Sequence, residues 1–251
     1  MIRTLLSDEV LARIESVLPG KEGDPGRTAS DNRWFVEAVL WIGRTGCPWR
    51  DLPKALGRWH TVYMRFSRWC RKGVWERVIQ AAADETEIKH VLIDSLIVRA
   101  HQYSAGARKN GPQALGRSRG GLTTKLHLAV DNAGRPLLLI ATEGQVSDIS
   151  CANELVEHLR TCAVIADKGY DSNAFVESIR TTRAKAVILP RSNRTTKRRY
   201  SRVLYRTRNI DERFFSRIKH FRRVATRYDK LAGNYLAFAS LACAFGPLVR
   251  M

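Results

Sequence analysis

The feature that most constrains the fold is the sequence VLIDSLIVRA, which runs from Val91 to Ala100. It is almost continuously apolar and has the length of a strand, which is typical of a strand buried on both faces of a sheet. Asp94 interrupts the apolar run near its middle. An ionised carboxylate there is unfavourable unless a hydrogen bond, an opposite charge or a bound cation compensates it. The sequence therefore predicts a central strand that carries a candidate functional residue.

The residues after this strand predict a mixed sheet with helices packed on it. The sequence GGLTTKLHLAV alternates strictly, with Leu126 and Leu128 on one face and Lys125 and His127 on the other. A turn and the sequence RPLLLIATEG follow, which predicts a hairpin. Asp148 is then expected to cap a helix, and CAVIA and AVIL are two further short strands separated by a helix. This order of elements predicts an α/β fold.

The first third of the chain differs in composition from the rest. All six tryptophans lie within the first 75 residues, and aromatic residues recur there every three to four positions, as in short helices around an aromatic core. Ser7 and Asp31 stand where helix N-caps are expected. We therefore predict a small all-helical N-terminal domain over residues 1–86 and an α/β domain with C-terminal helices over residues 87–251.

The third predicted helix carries basic residues on the faces that its aromatic residues leave free. These are Arg58, Arg65, Arg68, Arg71 and Lys72. Such a helix can contact DNA in the manner of a helix-turn-helix protein, whereas a structural bundle with an ordinary basic surface has the same pattern. The N-terminal domain is thus a candidate DNA-binding domain.

The charge of the whole chain indicates a polyanionic partner. The chain has 43 Lys and Arg against 24 Asp and Glu, a net charge of +19, and nucleic acid is the first candidate for such an excess. A membrane surface is less suitable, because the basic residues are interleaved with Tyr, Thr, Ser and Asn and do not line one face of an amphipathic helix. No run approaches the roughly 18 apolar residues of a membrane span, and a signal-peptide core is absent from the N-terminus. We expect a cytoplasmic protein.

The basic residues are densest between residues 183 and 227, where 16 Lys and Arg accompany only two acids, Asp211 and Glu212. On a helix, one face of this segment carries Glu212, Ser216, Lys219 and Arg223, and the opposite face carries Phe214, Ile218, Phe221 and Ala225. For Glu212 alone, the ordinary interpretation is a solvated side chain that offsets neighbouring arginines.

Two other acids change that interpretation. Asp94 lies within an apolar strand, and Asp167 directly follows another one, at the end where open α/β sheets present ligand-binding residues. Each acid has an ordinary explanation by itself: a hydrogen-bonded strand residue, a turn residue and a solvated residue. Together, two strand aspartates and a helical glutamate in this order are much harder to explain in these ordinary ways.

The chain resembles the DDE transposases of bacterial insertion sequences, which have a ribonuclease-H-like catalytic fold. One group of them carries a signature of Tyr, two residues, Arg, three residues, Glu, six residues and Lys, and Tyr205, Arg208, Glu212 and Lys219 meet every spacing. The sequences IDSLIVRAHQ and VIADKGYDS are similar to the two aspartate segments of that group, and GRSRGGLTTKLH to its hairpin. The sequences RWFVEAVLWIGRTGCPWRDLP and HFRRVATRYDKLAGNYLAF resemble its N-terminal and C-terminal regions, so the resemblance covers almost the whole chain.

The resemblance implies a site for two divalent cations. Asp94, Asp167 and Glu212 are its expected catalytic and metal-binding residues, with Asp94 shared between the two ions. Carboxylate oxygens suit Mg²⁺, or Mn²⁺ as an alternative. The five cysteines are scattered without a C-x-x-C pair, so neither a disulfide framework nor a zinc site is indicated.

The resemblance also implies residues that contact DNA. Lys219 is expected to hold a substrate phosphate, and Tyr205 and Arg208 are expected to position the DNA end. Arg223 and Lys125 are further candidates, and for Lys125 an ordinary exposed strand residue is the alternative.

The predicted function is that of a transposase that binds the terminal inverted repeats of its element, cleaves DNA and joins it to target DNA. A ribonuclease-H-like nuclease with the same acids is one alternative. A transposase-derived DNA-binding protein without catalysis is another, although it has no need for an acid inside an apolar strand. The resemblance further implies a homodimer or higher homo-oligomer on double-stranded DNA, associated with the nucleoid.

Overall fold

Five stretches of the chain are described in the computed structural model: residues 4–25, 28–29, 31–82, 87–106 and 111–246. They group into two units by their contacts. The first unit combines residues 1–84, 101–107 and 217–251, and the second combines residues 85–100 and 108–216. The sequence prediction assigned residues 217–251 to the second domain, so the structure groups this segment differently. The predicted boundary at residue 86 falls on residues 83–86, which lie outside the described residues.

The helices, numbered along the chain, are α1 (Asp8–Glu15), α2 (Asn32–Thr45), α3 (Trp59–Arg71), α4 (Val74–Ala82), α5 (Ala152–Val156), α6 (Asn173–Thr181), α7 (Arg202–Tyr205), α8 (Asn209–Ile218), α9 (Arg222–Ala225) and α10 (Ala232–Phe245). The strands are β1 (His90–Ala100), β2 (Gly116–Ser118), β3 (Gly121–Asp131), β4 (Pro136–Glu143), β5 (Ala163–Ala166), β6 (Lys185–Ile188) and β7 (Thr226–Arg227). No helix in the described part of the chain is both long enough and apolar enough to cross a membrane.

The first unit is a helical bundle with an aromatic core, as its sequence predicts. The two predicted N-caps are confirmed: the Ser7 side chain accepts a hydrogen bond from the Val10 amide, and Asp31 accepts one from Trp34. Phe66 of α3 stacks on Phe238 of α10 with ring centroids 4.6 Å apart. Helix α10 packs against α2, α3, α4 and α9. It is apolar around its whole circumference, and a helix of that kind is stable only when it is enclosed.

The second unit is built on a mixed sheet, which confirms the predicted α/β fold. Strand β3 pairs antiparallel with β1 along one edge and with β4 and β2 along the other, so β3 and β4 form the predicted hairpin. On its other edge β1 pairs parallel with β5, and β5 pairs parallel with β6. Strand β1 therefore lies inside the sheet, as its apolar sequence requires.

One face of this sheet is covered by α5 and α6. Val91 and Ile93 of β1 point to this face and pack with Leu155 of α5 and with Phe175 and Ile179 of α6 in one buried cluster. Residues at alternate positions of a strand point to opposite faces. Asp94 therefore points away from this cluster, whereas Ser95 points towards it.

The basic segment does not form one continuous helix. Helix α8 ends at Ile218, Phe221 has an extended backbone, and α9 begins at Arg222. Phe221 is only 2% exposed, and the interruption of the helix allows its ring to enter the core of the first unit. The prediction of a single face shared by Glu212 and Arg223 is therefore wrong.

Candidate active site

The pairing of β1 with β5 places two of the three predicted acids side by side. Ile93 lies opposite Ala166 in the parallel register. Asp94 directly follows Ile93 in the chain, and Asp167 directly follows Ala166. Strand β5 ends at Ala166, so Asp167 stands at the carboxyl end of its strand, where the Asp167 side chain accepts a hydrogen bond from the Gly169 amide at 2.7 Å. The two acids are close enough for the charge of Asp167 to raise the pKa of Asp94.

Asp94 is largely buried, and burial is the main reason why its pKa lies above the ordinary value. The guanidinium of Arg208 and the Ser95 amide oppose this effect, since Arg208 Nη2 lies 2.9 Å from Asp94 Oδ2 and the amide donates to Oδ1 at 2.8 Å. A buried carboxylate with a raised pKa gains from any nearby positive charge. The site thus favours a cation next to Asp94.

Arg208 joins the third predicted acid to the first. It lies just before α8, and its Nη1 contacts Glu212 Oε1 at 3.3 Å while its Nη2 contacts Asp94. The Glu212 side chain is 65% exposed, so this second contact is the weaker one. The structure therefore brings Asp94, Asp167 and Glu212 from a central strand, a strand end and a helix to the surroundings of one guanidinium group.

Arg208 itself is held from several sides. Burial alone would lower its pKa, but the charges of Asp94, Tyr205 and Asp167 raise it above the ordinary value. In the part of the chain that the structure describes, its Nε is buried without a hydrogen-bond partner. Tyr205 is half-buried beside it, and burial raises the pKa of that hydroxyl. The Tyr205 ring meets the Tyr200 ring edge-on at 5.4 Å, so the two signature residues Tyr205 and Arg208 lie together at the acids.

The acidic residues suit a hard divalent cation by their chemistry. Across the described residues, no three His, Cys, Asp or Glu side chains are yet arranged closely enough to hold a metal ion. The position between Asp94 and Glu212 is taken by the positive charge of Arg208. Two aspartates and a glutamate supply only oxygen ligands, which Mg²⁺ and Mn²⁺ prefer. The residues fit such ions, provided that Arg208 yields its place.

A further acid close to the site was misread in the sequence. Asp148 was expected to cap a helix, but its Oδ1 instead accepts hydrogen bonds from Ser95 Oγ at 2.7 Å and from Lys125 Nζ at 3.0 Å. A Cβ atom on Gly169 would lie 3.0 Å from Asp148 Oδ2 and 2.9 Å from Asp167 Oδ1. Asp148 thus links the residue after Asp94 to the turn after Asp167. The strict alternation around Lys125 indicated which face it occupies, but no sequence signal indicated its partner.

Lys125 is not the surface residue that a DNA contact requires. It is 7% exposed, and its ammonium group also donates to the Val146 carbonyl at 2.5 Å. Its predicted place among the DNA-binding residues is therefore corrected to a buried ion pair with Asp148. Next to it His127 is fully buried and bonded through Nε2 to Thr142 Oγ1 at 2.8 Å.

Arg223 is also occupied inside the protein. It is 6% exposed, and its Nε and Nη2 each lie 2.9 Å from an oxygen of Asp229, while Nη1 donates to the Cys47 carbonyl at 3.0 Å. The prediction that Arg223 contacts DNA is corrected accordingly. Lys219 follows the last residue of α8 directly, and its expected phosphate contact stays a prediction.

The basic loop between β6 and α7 is partly folded onto the protein. Asp171 is buried and accepts hydrogen bonds from Arg194 Nε at 2.6 Å, from Arg198 Nη1 at 3.0 Å and from the Arg191 amide at 2.8 Å. Burial opposes the charge of Asp171, but these hydrogen bonds hold its pKa below the ordinary value. The loop is therefore anchored close to the end of β5, and Asp171 is a residue that the sequence did not single out.

Two family models match the chain. The model described as "Putative transposase of IS4/5 family" matches residues 6–79, and the model described as "Transposase DDE domain" matches residues 85–245. The second match contains the three acids and all four signature residues, Tyr205, Arg208, Glu212 and Lys219.

Individual proteins with similar sequences come from bacteria. The chain is 36% identical over 127 residues to "Putative transposase for insertion sequence element IS6501" of Brucella ovis, a match that covers 49% of this chain and 96% of that protein. It is 29% identical over 150 residues to "Putative transposase for insertion sequence element IS402" of Burkholderia cepacia, covering 55% of this chain and 68% of that protein.

Among solved structures, the chain is similar to that titled "Cryo-EM structure of piggyBac transposase synaptic complex with hairpin DNA". The TM-score is 0.53 with 12% sequence identity, and the match covers 97% of this chain and 72% of that one. At this identity the likeness concerns the fold alone.

Proposed function

Because the chain belongs to the family of transposases with a DDE domain, we propose that it binds the terminal inverted repeats of an insertion sequence, cleaves the DNA there and joins it to target DNA. The observation that carries this proposal is the convergence of Asp94, Asp167 and Glu212 around the guanidinium of Arg208. A site that gathers three carboxylates from separate elements favours bound cations, and phosphodiester cleavage and transfer need them.

We assign the three carboxylates to two Mg²⁺ ions, with Mn²⁺ as an alternative. Asp94 would contact both ions, and Asp167 and Glu212 would each complete one site. When bound, such ions activate the attacking oxygen and stabilise the charge on the leaving oxygen of an in-line displacement.

The remaining residues of the site position the acids and the DNA. Arg208 leaves Asp94 and Glu212 and donates to a phosphate of the DNA end, where a guanidinium group can form two parallel hydrogen bonds. Tyr205 and Lys219 contact the same backbone. Asp148 holds Ser95 of β1 and Lys125 of β3 through its Oδ1, and its Oδ2 lies close to Gly169 in the turn after Asp167.

We infer the binding partner from the net charge of the chain and from the proposed reaction. A net charge of +19 suits double-stranded DNA, and we propose contacts by the helical first 86 residues as well. Arg58, Arg68, Arg71 and Lys72 are exposed there, whereas Arg65 lies over the Phe35 ring at 4.2 Å and serves the bundle. Joining two element ends needs two active sites, so we propose a homodimer or higher homo-oligomer on DNA, associated with the nucleoid.

The test incubates the full chain with labelled element ends, supercoiled target DNA and Mg²⁺. We expect joined products with the wild type. We expect cleavage and joining to fall at least about a thousandfold with Asp94→Asn, Asp167→Asn or Glu212→Gln, while binding to the labelled ends is retained. Glu177→Gln is the matched control, because Glu177 is an exposed acid in an ion pair with Arg180.

Three results would contradict the proposal. Cleavage without joining would assign the chain to the nucleases. DNA binding without any chemistry in the wild type would assign it to the catalytically inactive relatives of transposases. Near-normal turnover in one of the three variants would remove that acid from the triad.

A further inference from the structure

Three aromatic side chains of the first unit lie together on its surface. The His101 ring has its centroid 4.7 Å from that of Tyr103 and 5.2 Å from that of Tyr228. Tyr103 is 67% exposed and Tyr228 is 39% exposed. We call these three residues the aromatic surface. Exposed aromatic rings that gather at one place are typical of binding sites.

The backbone beneath the aromatic surface is firmly held. The His101 amide donates to the Arg227 carbonyl at 2.8 Å, and the fully buried Arg227 donates through Nε to the Asp229 carbonyl at 3.0 Å. On the other side, Ser104 Oγ donates to the His101 carbonyl at 2.7 Å. The two segments that carry the rings are therefore tied to each other and to the core. The backbone that carries the rings is thus ordered before a ligand binds, which lowers the entropic cost of binding.

The charge around the aromatic surface is positive. Lys230 is exposed, and its Nζ would lie 3.6 Å from a Cβ atom placed on Gly106, so the ammonium group lies over the turn that follows Tyr103. Asp229, the acid beside it in the chain, is neutralised by Arg223. Aromatic rings beside a free cation match a nucleotide, whose base stacks while its phosphate binds the cation.

We propose that the aromatic surface binds an unpaired DNA base by stacking, with Lys230 on the adjacent phosphate. This inference rests on the proposed function only in taking DNA as the ligand. The base must be unpaired because the faces of paired bases inside a duplex are covered by their neighbours. An enzyme that works at DNA ends meets such bases where strands have been cut or separated.

The test compares two labelled duplexes that differ only in a five-nucleotide single-stranded extension, with 2-aminopurine at its first unpaired position. Binding of the full chain is measured in EDTA, so that the DNA is not cut. We expect the wild type to prefer the extended duplex and to quench the 2-aminopurine fluorescence, because stacking quenches it. The double variant Tyr103→Ala, Tyr228→Ala should bind the extended duplex about tenfold more weakly, without quenching. The matching pair of Phe substitutions should retain both properties.

Two further variants separate stacking from charge and from general surface changes. Lys230→Gln should weaken binding to the extended duplex and lower the slope of log affinity against log salt by about one. Leu138→Ala is the control, since Leu138 is an apolar residue with 39% exposure on β4, a strand that carries none of the proposed DNA contacts. We expect it to behave like the wild type.

The proposal is overturned if the wild type shows no preference for the extended duplex, or if the alanine variants quench and bind as the wild type does. If circular dichroism shows that the double variant does not fold, the single variant Tyr103→Ser replaces it in the same binding and quenching measurements. A wild type that stacks the base but never cuts element ends would overturn the proposed function and leave this inference standing. Normal cutting with unchanged stacking in the alanine variants would overturn this inference alone.

Discussion

Two arginine–carboxylate pairs, one in each unit, use the same chemical groups in opposite ways. In the first unit, the side chains of Arg223 and Asp229 are 7% and 5% exposed, and both carboxylate oxygens of Asp229 are bonded. In the second unit, Arg208 spans Asp94 and the exposed Glu212, and its Nε finds no hydrogen-bond partner among the described residues. The first pair is satisfied and enclosed, whereas the second is incomplete and partly open to solvent.

The difference shows how a structural ion pair can be told from a functional one. The Arg223 guanidinium also lies over the Phe238 ring at 5.0 Å and over the Trp49 ring at 5.7 Å, so its departure would uncover both rings. Arg208 has no such enclosure among its contacts, and its partners are the acids that suit cations. We propose that the Arg223 pair stabilises the fold and that the Arg208 pair gives way when cations bind to the acids.

The largest effect on stability is expected from Asp229→Ala. Removing one partner of a buried ion pair leaves an uncompensated charge, which lowers the free energy of unfolding by about 3–5 kcal/mol. Urea denaturation followed by circular dichroism measures this change. The protein that remains folded should still cleave DNA at a normal rate per active site. A loss below about 1 kcal/mol would contradict the structural role of the pair.

The buried His127 of the second unit gives a further test, because its effect on stability depends on pH. Burial lowers the pKa of His127 from 6.5 to about 4, and the charge of Lys125 adds to this effect while Asp148 opposes it. Because the folded state binds the proton less readily, the stabilisation is complete above pH 6.5 and is lost as the pH falls towards 4. The loss amounts to about 3 kcal/mol at most.

The measurement compares the free energy of unfolding of the wild type and of His127→Gln between pH 7.5 and 4. The difference between the two proteins should change over this range, since Gln keeps a polar group beside Thr142 but does not titrate. A constant difference would show that His127 is not a buried neutral group. The control is the variant His60→Gln, at a histidine of the first unit that is exposed.

The smallest effect on stability is expected from Arg208→Gln. Its contact with Glu212 is exposed and its pair with Asp94 is incomplete, so the free energy of unfolding should change by less than about 1 kcal/mol. Binding to element ends should weaken much more clearly, by about tenfold, because a charged hydrogen bond to phosphate is lost. A stability loss as large as that of Asp229→Ala would remove the distinction between the two pairs.

The sequence predicted what depends on local pattern. The apolar run around Asp94, the alternation around Lys125 and the caps at Ser7 and Asp31 were all readable, because each follows from the period of one element or one turn. The contact of Arg208 with both Asp94 and Glu212 follows from no periodicity, and the signature was the only feature of the sequence that grouped these residues; their role in a site stays a prediction.

The errors concern partners that are distant in sequence. Nothing near Arg223 indicated that its guanidinium reaches the Cys47 carbonyl, 176 positions away. The helical period around Phe221 continues smoothly, but the burial of its ring requires the chain to turn. The local sequence predicts Asp148 as a helix cap, because its actual partner Ser95 lies 53 residues earlier and leaves no signal near Asp148.

The central claim is that Asp94, Asp167 and Glu212 together hold divalent cations, and iron-directed cleavage tests it most directly. Fe²⁺ replaces Mg²⁺ in the complex with DNA, and ascorbate with peroxide then generates hydroxyl radicals that cut the polypeptide close to the bound metal. We predict cuts around residues 94, 167 and 212, which excess Mg²⁺ suppresses and which Asp94→Asn abolishes. Cuts elsewhere, or cuts that persist in Asp94→Asn, would contradict the account.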